Sequence, residues 1–118
     1  MKIIGIVGSR RRDSKEDYEK TLKAFEQVYE VDDEIVSGGC SQGADRFAEM
    51  LALHCQVPIK IYYAEWNRLG KKAGFMRNAY IAGDADVLIA VVASDRTGGT
   101  ESTIKEYLKL GKTQLILI

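Results

Sequence analysis

Five short apolar runs alternate with four amphipathic stretches along this chain, and that alternation restricts the fold more than any other feature. The runs are Lys2–Val7 (KIIGIV), Glu34–Val36 (EIV), Val57–Tyr62 (VPIKIY), Asp86–Val92 (DVLIAVV) and Gln114–Ile118 (QLILI). The first, fourth and fifth are nearly continuous in Ile, Val and Leu, the pattern of strands covered on both faces. Between them, Ser14 and Asp17 have the spacing of a capping box and lead into Tyr18, Leu22, Phe25 and Tyr29 at helical intervals. Ala44, Phe47, Ala48, Leu51, Ala52 and Cys55 form a second helical face. Phe75, Met76, Ala79 and Tyr80 form a shorter third, and Ile104, Tyr107 and Leu108 a fourth that Gly111 closes as a C-cap. The order β-α-β-α-β-α-β-α-β predicts a Rossmann-like, three-layer α/β/α fold with a five-stranded parallel sheet. The expected strand order is 3-2-1-4-5, with the first strand central. Pro58, the sole proline, stands near the start of the third run and suits an edge strand.

A chain of 118 residues with 46% hydrophobic residues builds one domain with a real core, residues 1–118. Lys+Arg and Asp+Glu both count 17, for a formal net charge of +0. That balance removes the electrostatic case for duplex DNA or an anionic membrane as the main partner. No apolar run approaches the roughly 20 residues of a membrane span. The start, MKIIGIVGS, enters a strand-like run without a cleavage-site pattern, so the expected location is cytoplasmic. In that reducing compartment Cys40 and Cys55 are expected as free thiols, and their spacing is not that of metal ligands. No cofactor and no metal is expected.

In a sheet of this order, ligands bind beyond the carboxyl ends of the strands, where the order reverses. The reversal lies between the first and fourth strands. The loops expected there are Gly8-Ser9-Arg10, the segment Ser94 to Ser102 (SDRTGGTES), and Ser37 to Gly43 (SGGCSQG). All are rich in glycine and small hydroxyl residues. Small residues let a phosphate approach the backbone, and a following helix N-terminus supplies N–H donors and a positive dipole end. Arginine adds bidentate donors. A single glycine loop is often only a tight strand-to-helix turn; three on one edge argue for a phosphate-bearing ligand.

The dinucleotide fingerprint G-x-G-x-x-G is absent, Ser37 ends the second strand where an acidic residue would hold a ribose, and there is no Walker P-loop. No Ser/His/Asp arrangement or metal-ligand cluster can be assembled, and His54, near the end of the second helix, reads as a surface histidine. The segment after the third strand, Ala64 to Asn78 (AEWNRLGKKAGFMRN), holds the only tryptophan. Trp66 reads either as a core anchor under a loop or as a base-stacking platform. Arg77 and Asn78 either brace the helix they open or face the crevice, and Asp45 either caps its helix, pairs with Arg46 or joins the site.

GSR near the start, SGGCSQGADRFAE, AEWNRLGKKAGFMRN, ADVLIAV and TGGTEST together resemble the YspA/YpsA-related branch of the SLOG superfamily. That superfamily joins the DNA-processing protein DprA with the LOG cytokinin-activating enzymes. The resemblance runs from Gly8 to Gly111 and implies a domain that binds a nucleotide or nucleotide-derived ligand, as sensor or processing protein. It implies a site made of Gly8, Ser9, Arg10, Gly38, Gly39, Ser41, Gly43, Asp45, Trp66, Arg77, Asn78, Gly98, Gly99 and Thr100. LOG enzymes are phosphoribohydrolases that cleave the N-glycosidic bond of a nucleoside 5'-monophosphate with an arginine and a P-G-G-x-G-T-x-x-E loop. Arg77 matches the arginine, whereas Thr97 replaces the proline and Ile104 stands where the catalytic glutamate is expected. Were the chain an enzyme of this kind, Arg77 and Glu101 (or Glu106) would be its catalytic residues, since the reaction needs a carboxylate. A DprA-like role on single-stranded DNA is disfavoured by the zero net charge and the lack of an exposed aromatic row. Relatives of this kind are commonly dimers or larger, and a partner copy would cover the apolar QLILI edge, which leaves homo-oligomer and monomer both open.

Overall fold

The computed structural model describes all residues, Met1–Ile118, and forms one parallel sheet between two helical layers. The strands are β1 (Ile3–Gly8), β2 (Glu34–Gly38), β3 (Ile59–Tyr62), β4 (Val87–Val91) and β5 (Leu115–Leu117). The helices are α1 (Lys15–Val28), α2 (Ala44–Cys55), the single turn α3 (Trp66–Leu69), α4 (Lys72–Asp84) and α5 (Gly99–Lys109). The sheet order is β3-β2-β1-β4-β5, the order expected from the alternation of runs. Pro58 lies immediately before the edge strand β3, so no ladder bond is lost to it. No helix is long and apolar enough to cross a membrane.

The strands bury both faces because each face meets helices. On one side Ile4, Ile6, Ile35, Ile89 and Val91 pack with Phe25 of α1 and Phe47, Ala48 and Leu51 of α2. On the other, Val7, Val36, Leu88 and Ala90 pack with Ile81 and Ala82 of α4 and Ile104 and Tyr107 of α5. Every residue of β4 is buried. Burial of this kind stabilises by about 25 cal/mol per Å² of apolar surface and is the main favourable term in folding. The Ser14–Asp17 capping box forms in both directions at the start of α1. Gly111 takes φ 80° just beyond α5 and its N–H reaches the Leu108 carbonyl, the expected helix stop.

Five positions read as core from the sequence lie outside it. Phe75 and Tyr80 of α4 are exposed, and the buried stripe is instead Ala73, Asn78, Ile81 and Ala82. Ala82 and Ala85 allow α4 to lie close to the sheet, and the aromatic rings turn outward. Leu108 and Cys55 face solvent at the ends of α5 and α2. Trp66 is not a core anchor: it is 58% exposed.

Pairing of β1 with β4 runs from Ile4 opposite Val87 to Gly8 opposite Val91. Both strands therefore end at the same height. Their following loops diverge, one toward α1 and one toward α5, and a crevice opens between them.

Candidate functional site

The crevice has a volume of about 220 Å³ and is lined almost wholly by polar groups and glycines. The loop after β1 supplies Gly8, Ser9, Arg10 and Arg11; the loop after β4 and the first turn of α5 supply Thr97 to Thr100 and Thr103. Arg77, Asn78 and Ile81 reach it from α4, and Cys40 and Asp45 from the β2–α2 connection. Nine of the residues expected on sequence grounds line it: Gly8, Ser9, Arg10, Asp45, Arg77, Asn78, Gly98, Gly99 and Thr100.

The glycines of the β2–α2 loop have packing duties. A Cβ on Gly43 would lie 2.5 Å from the Ser9 carbonyl oxygen, and its φ of 76° already disfavours a side chain. A Cβ on Gly38 would lie 2.6 Å from Arg77 Nη1 and 2.7 Å from Asp45 Oδ2, so both side chains pass over the glycine. Gly38, Gly39 and Gly43 thus hold the loop against its neighbours and do not line the crevice. Ser41 is exposed and also outside it.

The start of α5 is different. Gly98 is its N-cap, no side chain caps it, and of its first three N–H groups only that of Glu101 finds a backbone acceptor, Gly98 at 3.3 Å. An added Cβ on Gly98 would meet nothing within 4 Å, and one on Gly99 only Asn78 Nδ2 at an ordinary 3.7 Å. Thr100 and Thr103 are buried beside these groups, and neither hydroxyl has a hydrogen-bond partner in the protein. Unpaired donors at a helix N-terminus make an anion site when a charge complements them.

The arginines supply that charge. Of the seven in the chain, five have carboxylate partners: Arg11 with Asp95, Arg12 with Asp17, Arg46 with Asp13, Arg68 with Glu65 and Arg96 with Glu101. The remaining two, Arg10 and Arg77, both line the crevice. Arg77 donates from Nε to Asn78 Oδ1 at 2.9 Å and leaves its terminal nitrogens free; Asn78 in turn donates to the Gly99 carbonyl at 3.2 Å. This chain of bonds fixes Arg77 relative to the α5 N-terminus.

Asp45 is buried and accepts from Ser37 Oγ at 3.1 Å and from the Cys40 N–H at 3.2 Å, and it braces the β2–α2 loop. It does not pair with Arg46, which is held by Asp13. Burial pushes its carboxyl above the usual range, against the opposing pull of the Cys40 N–H, Arg77 and Ser37. Arg77 acts on Asp45 through its charge, but the two form no ion pair.

Glu101, the sequence candidate for a catalytic carboxylate, is engaged by Arg96 at 2.8 and 2.9 Å and lies outside the crevice, as does Glu106. Trp66 and Gly39 line an adjoining groove. Sequence reasoning missed Arg11, whose guanidinium reaches Asp95 at 3.0 and 2.8 Å and Thr97 at 3.0 Å and so ties the β1 and β4 loops together across the crevice mouth. Arg11 with Thr97 holds Asp95 well below the usual carboxylate range. No sequence signal marks this pair, which spans more than eighty positions. Cys40 also enters the site without having been expected there, and no cluster of three or more His, Cys, Asp or Glu side chains that could hold a metal surrounds it.

Comparison with known protein-family profiles, with curated proteins and with solved structures found no match to this chain.

Proposed function

We propose that this protein binds a nucleotide or nucleotide-derived ligand through its phosphate, in the crevice between the β1 and β4 loops. The observation that carries the reading is the distribution of arginine charge: the two guanidinium groups without a carboxylate converge on the uncapped end of α5. Arg77 is half-buried without an ion-pair partner, which has a cost that the charge-assisted bonds of a bound phosphate recover, and the exposed Arg10 adds a second guanidinium. The Thr100 and Thr103 hydroxyls and the Gly99 and Thr100 N–H groups complete a set of donors with no acceptor in the protein. The volume suits a phosphate and its sugar rather than a whole dinucleotide. Binding is favoured over the phosphoribohydrolase reading because Glu101 is neutralised by Arg96. A sensor or processing role in the SLOG sense fits this site.

Thermal unfolding with inorganic phosphate, ribose 5-phosphate and AMP tests the reading. Ligand at a hundred times Kd stabilises by about 2.7 kcal/mol, a rise of several degrees in Tm. Arg77→Ala and Arg10→Ala are each expected to weaken binding about tenfold or more, the value of one charged hydrogen bond. Arg10 is exposed and bonds to nothing, so its removal changes unliganded stability by less than about 0.5 kcal/mol. Absence of a shift with all three compounds refutes the proposal.

A further inference from the structure

A second groove, of about 240 Å³, adjoins the crevice and shares Arg10, Cys40 and Arg77 with it; its other walls are Gly39, Tyr63, Ala64 and Trp66. Tyr63 is 66% exposed and Trp66 58%. Large aromatic side chains usually bury most of their surface, and two so exposed side by side are informative.

Each ring is seated on a glycine. The Tyr63 ring lies where a Cβ of Gly39 would stand, 2.2 Å from Cδ1 and 2.3 Å from Cε1. The Trp66 indole lies 3.0 Å from the Cβ position of Gly74. The rings are therefore held by the backbone from beneath and leave surface free above. The short helix α3 begins at Trp66, and its single turn closes through the Leu69 N–H on the Glu65 carbonyl. Tyr63, unlike Tyr62 and Tyr107, spends its hydroxyl on no protein partner.

The geometry points to this groove as a stacking site for the base of the same ligand, with the class of ligand narrowed to a nucleoside monophosphate. The inference rests on the phosphate reading of the crevice. Its carrying observation is continuity: the two unpaired arginines wall both spaces, so a ligand with its phosphate at the α5 N-terminus extends past them onto Trp66 and Tyr63. A planar, uncharged, aromatic base is the group that matches two exposed rings, because every nucleobase has a π-face and stacks without sequence-specific hydrogen bonds. Arg10 and Arg77 add a cationic edge that also favours a π-system.

Trp66 is the sole tryptophan, so its emission reports directly on this groove. The protein is titrated with AMP, GMP, CMP and UMP, and in parallel with ribose 5-phosphate and inorganic phosphate. The expected result is saturable quenching by at least one nucleoside monophosphate and none by the two base-free compounds, although these still raise Tm. Trp66→Ala is expected to weaken that nucleotide about tenfold to a hundredfold while leaving the ribose 5-phosphate affinity within twofold. Trp66→Phe, which keeps a ring, is expected to recover most of the loss. If the base-free compounds raise Tm but no nucleotide quenches Trp66 or loses affinity in Trp66→Ala, the groove assignment is wrong and the phosphate crevice stands. If nothing raises Tm, the crevice reading fails and the groove falls with it.

Discussion

Gly43 and Gly98 form a matched pair that tests whether the β2–α2 glycines answer to packing. Both are helix N-caps, with φ 76° and ψ −151° at Gly43 and φ 103° and ψ −173° at Gly98, the backbone region that essentially only glycine occupies. Alanine at either position incurs the same kind of strain, about 1–3 kcal/mol, and gains the same small entropy advantage in the unfolded chain. The surroundings differ. The new methyl at Gly98 meets nothing within 4 Å, whereas at Gly43 it lies 2.5 Å from the Ser9 carbonyl and 3.0 Å from the Arg10 Cα. Both of those are backbone atoms and cannot swing aside. Relief requires the β1 loop to move, and overpacking of this kind costs about 1–3 kcal/mol more. Urea unfolding followed by circular dichroism should therefore rank Gly43→Ala below Gly98→Ala by about 1–3 kcal/mol. Gly43→Ala should also lose the response to phosphate, because Arg10 moves with Ser9. Equal midpoints for the two variants, with equal slopes, would refute the close approach and with it the packing explanation of that loop.

Two further outcomes follow from side chains that are accessible or ionised. Cys40 borders both the crevice and the groove, and Cys55 is exposed far from either, at the end of α2. Alkylation followed by mass spectrometry should show Cys40 protected by a saturating nucleotide and Cys55 unaffected; equal protection or none at Cys40 contradicts the placement of the ligand. Asp33 is buried; burial pushes its carboxyl up, but hydrogen bonds from the Lys2 side chain, the Lys2 N–H and the Glu30 N–H outweigh this and hold it below the usual range. A depressed carboxylate contributes stability above its unfolded pKa of about 3.9 and loses it as pH falls through the folded value. Asp33→Asn should thus cost about 2 kcal/mol at pH 7, and a difference that fails to shrink in unfolding curves below about pH 4 contradicts the assignment.

The sheet and its order were legible because they depend on the one property that sequence displays directly, the spacing of apolar residues. Runs such as DVLIAVV fit only a strand buried on both faces, and β4 is buried throughout. The face of α4 was misread for a related reason. Phe75, Met76, Ala79 and Tyr80 satisfy a helical period as well as Ala73, Ile81 and Ala82 do, and hydrophobicity favours the larger residues. The choice is made by distance: α4 lies close to the sheet, which favours alanine, and the aromatics are displaced outward. The glycines of SGGCSQG were misweighted because sequence cannot separate a glycine that admits a ligand from one that admits a neighbouring side chain. Gly38 yields to Arg77 and Asp45, and Gly39 to Tyr63.

The run Arg10-Arg11-Arg12 shows why the charges had to be traced individually. As a sequence it is one basic cluster in a chain of zero net charge. In the fold its members diverge. Arg12 turns back to Asp17 and the carbonyls of Val92 and Ile118 and fastens the β1 loop to the C-terminal ends of β4 and β5. Arg11 crosses the crevice mouth to Asp95. Only Arg10 is left without a partner, and it lines the crevice together with Arg77. Arg11 thus helps to wall the crevice, Arg12 fastens the loop behind it, and the guanidinium of Arg10 stays unpaired. Surface ion pairs contribute little to stability, about 0–1 kcal/mol, so the pairing of Arg11 matters chiefly for position. Five of the seven arginines are thus held by carboxylates, and the two that are not, Arg10 and Arg77, both line the crevice, so in a chain of zero net charge the guanidinium groups free for a phosphate stand at one place.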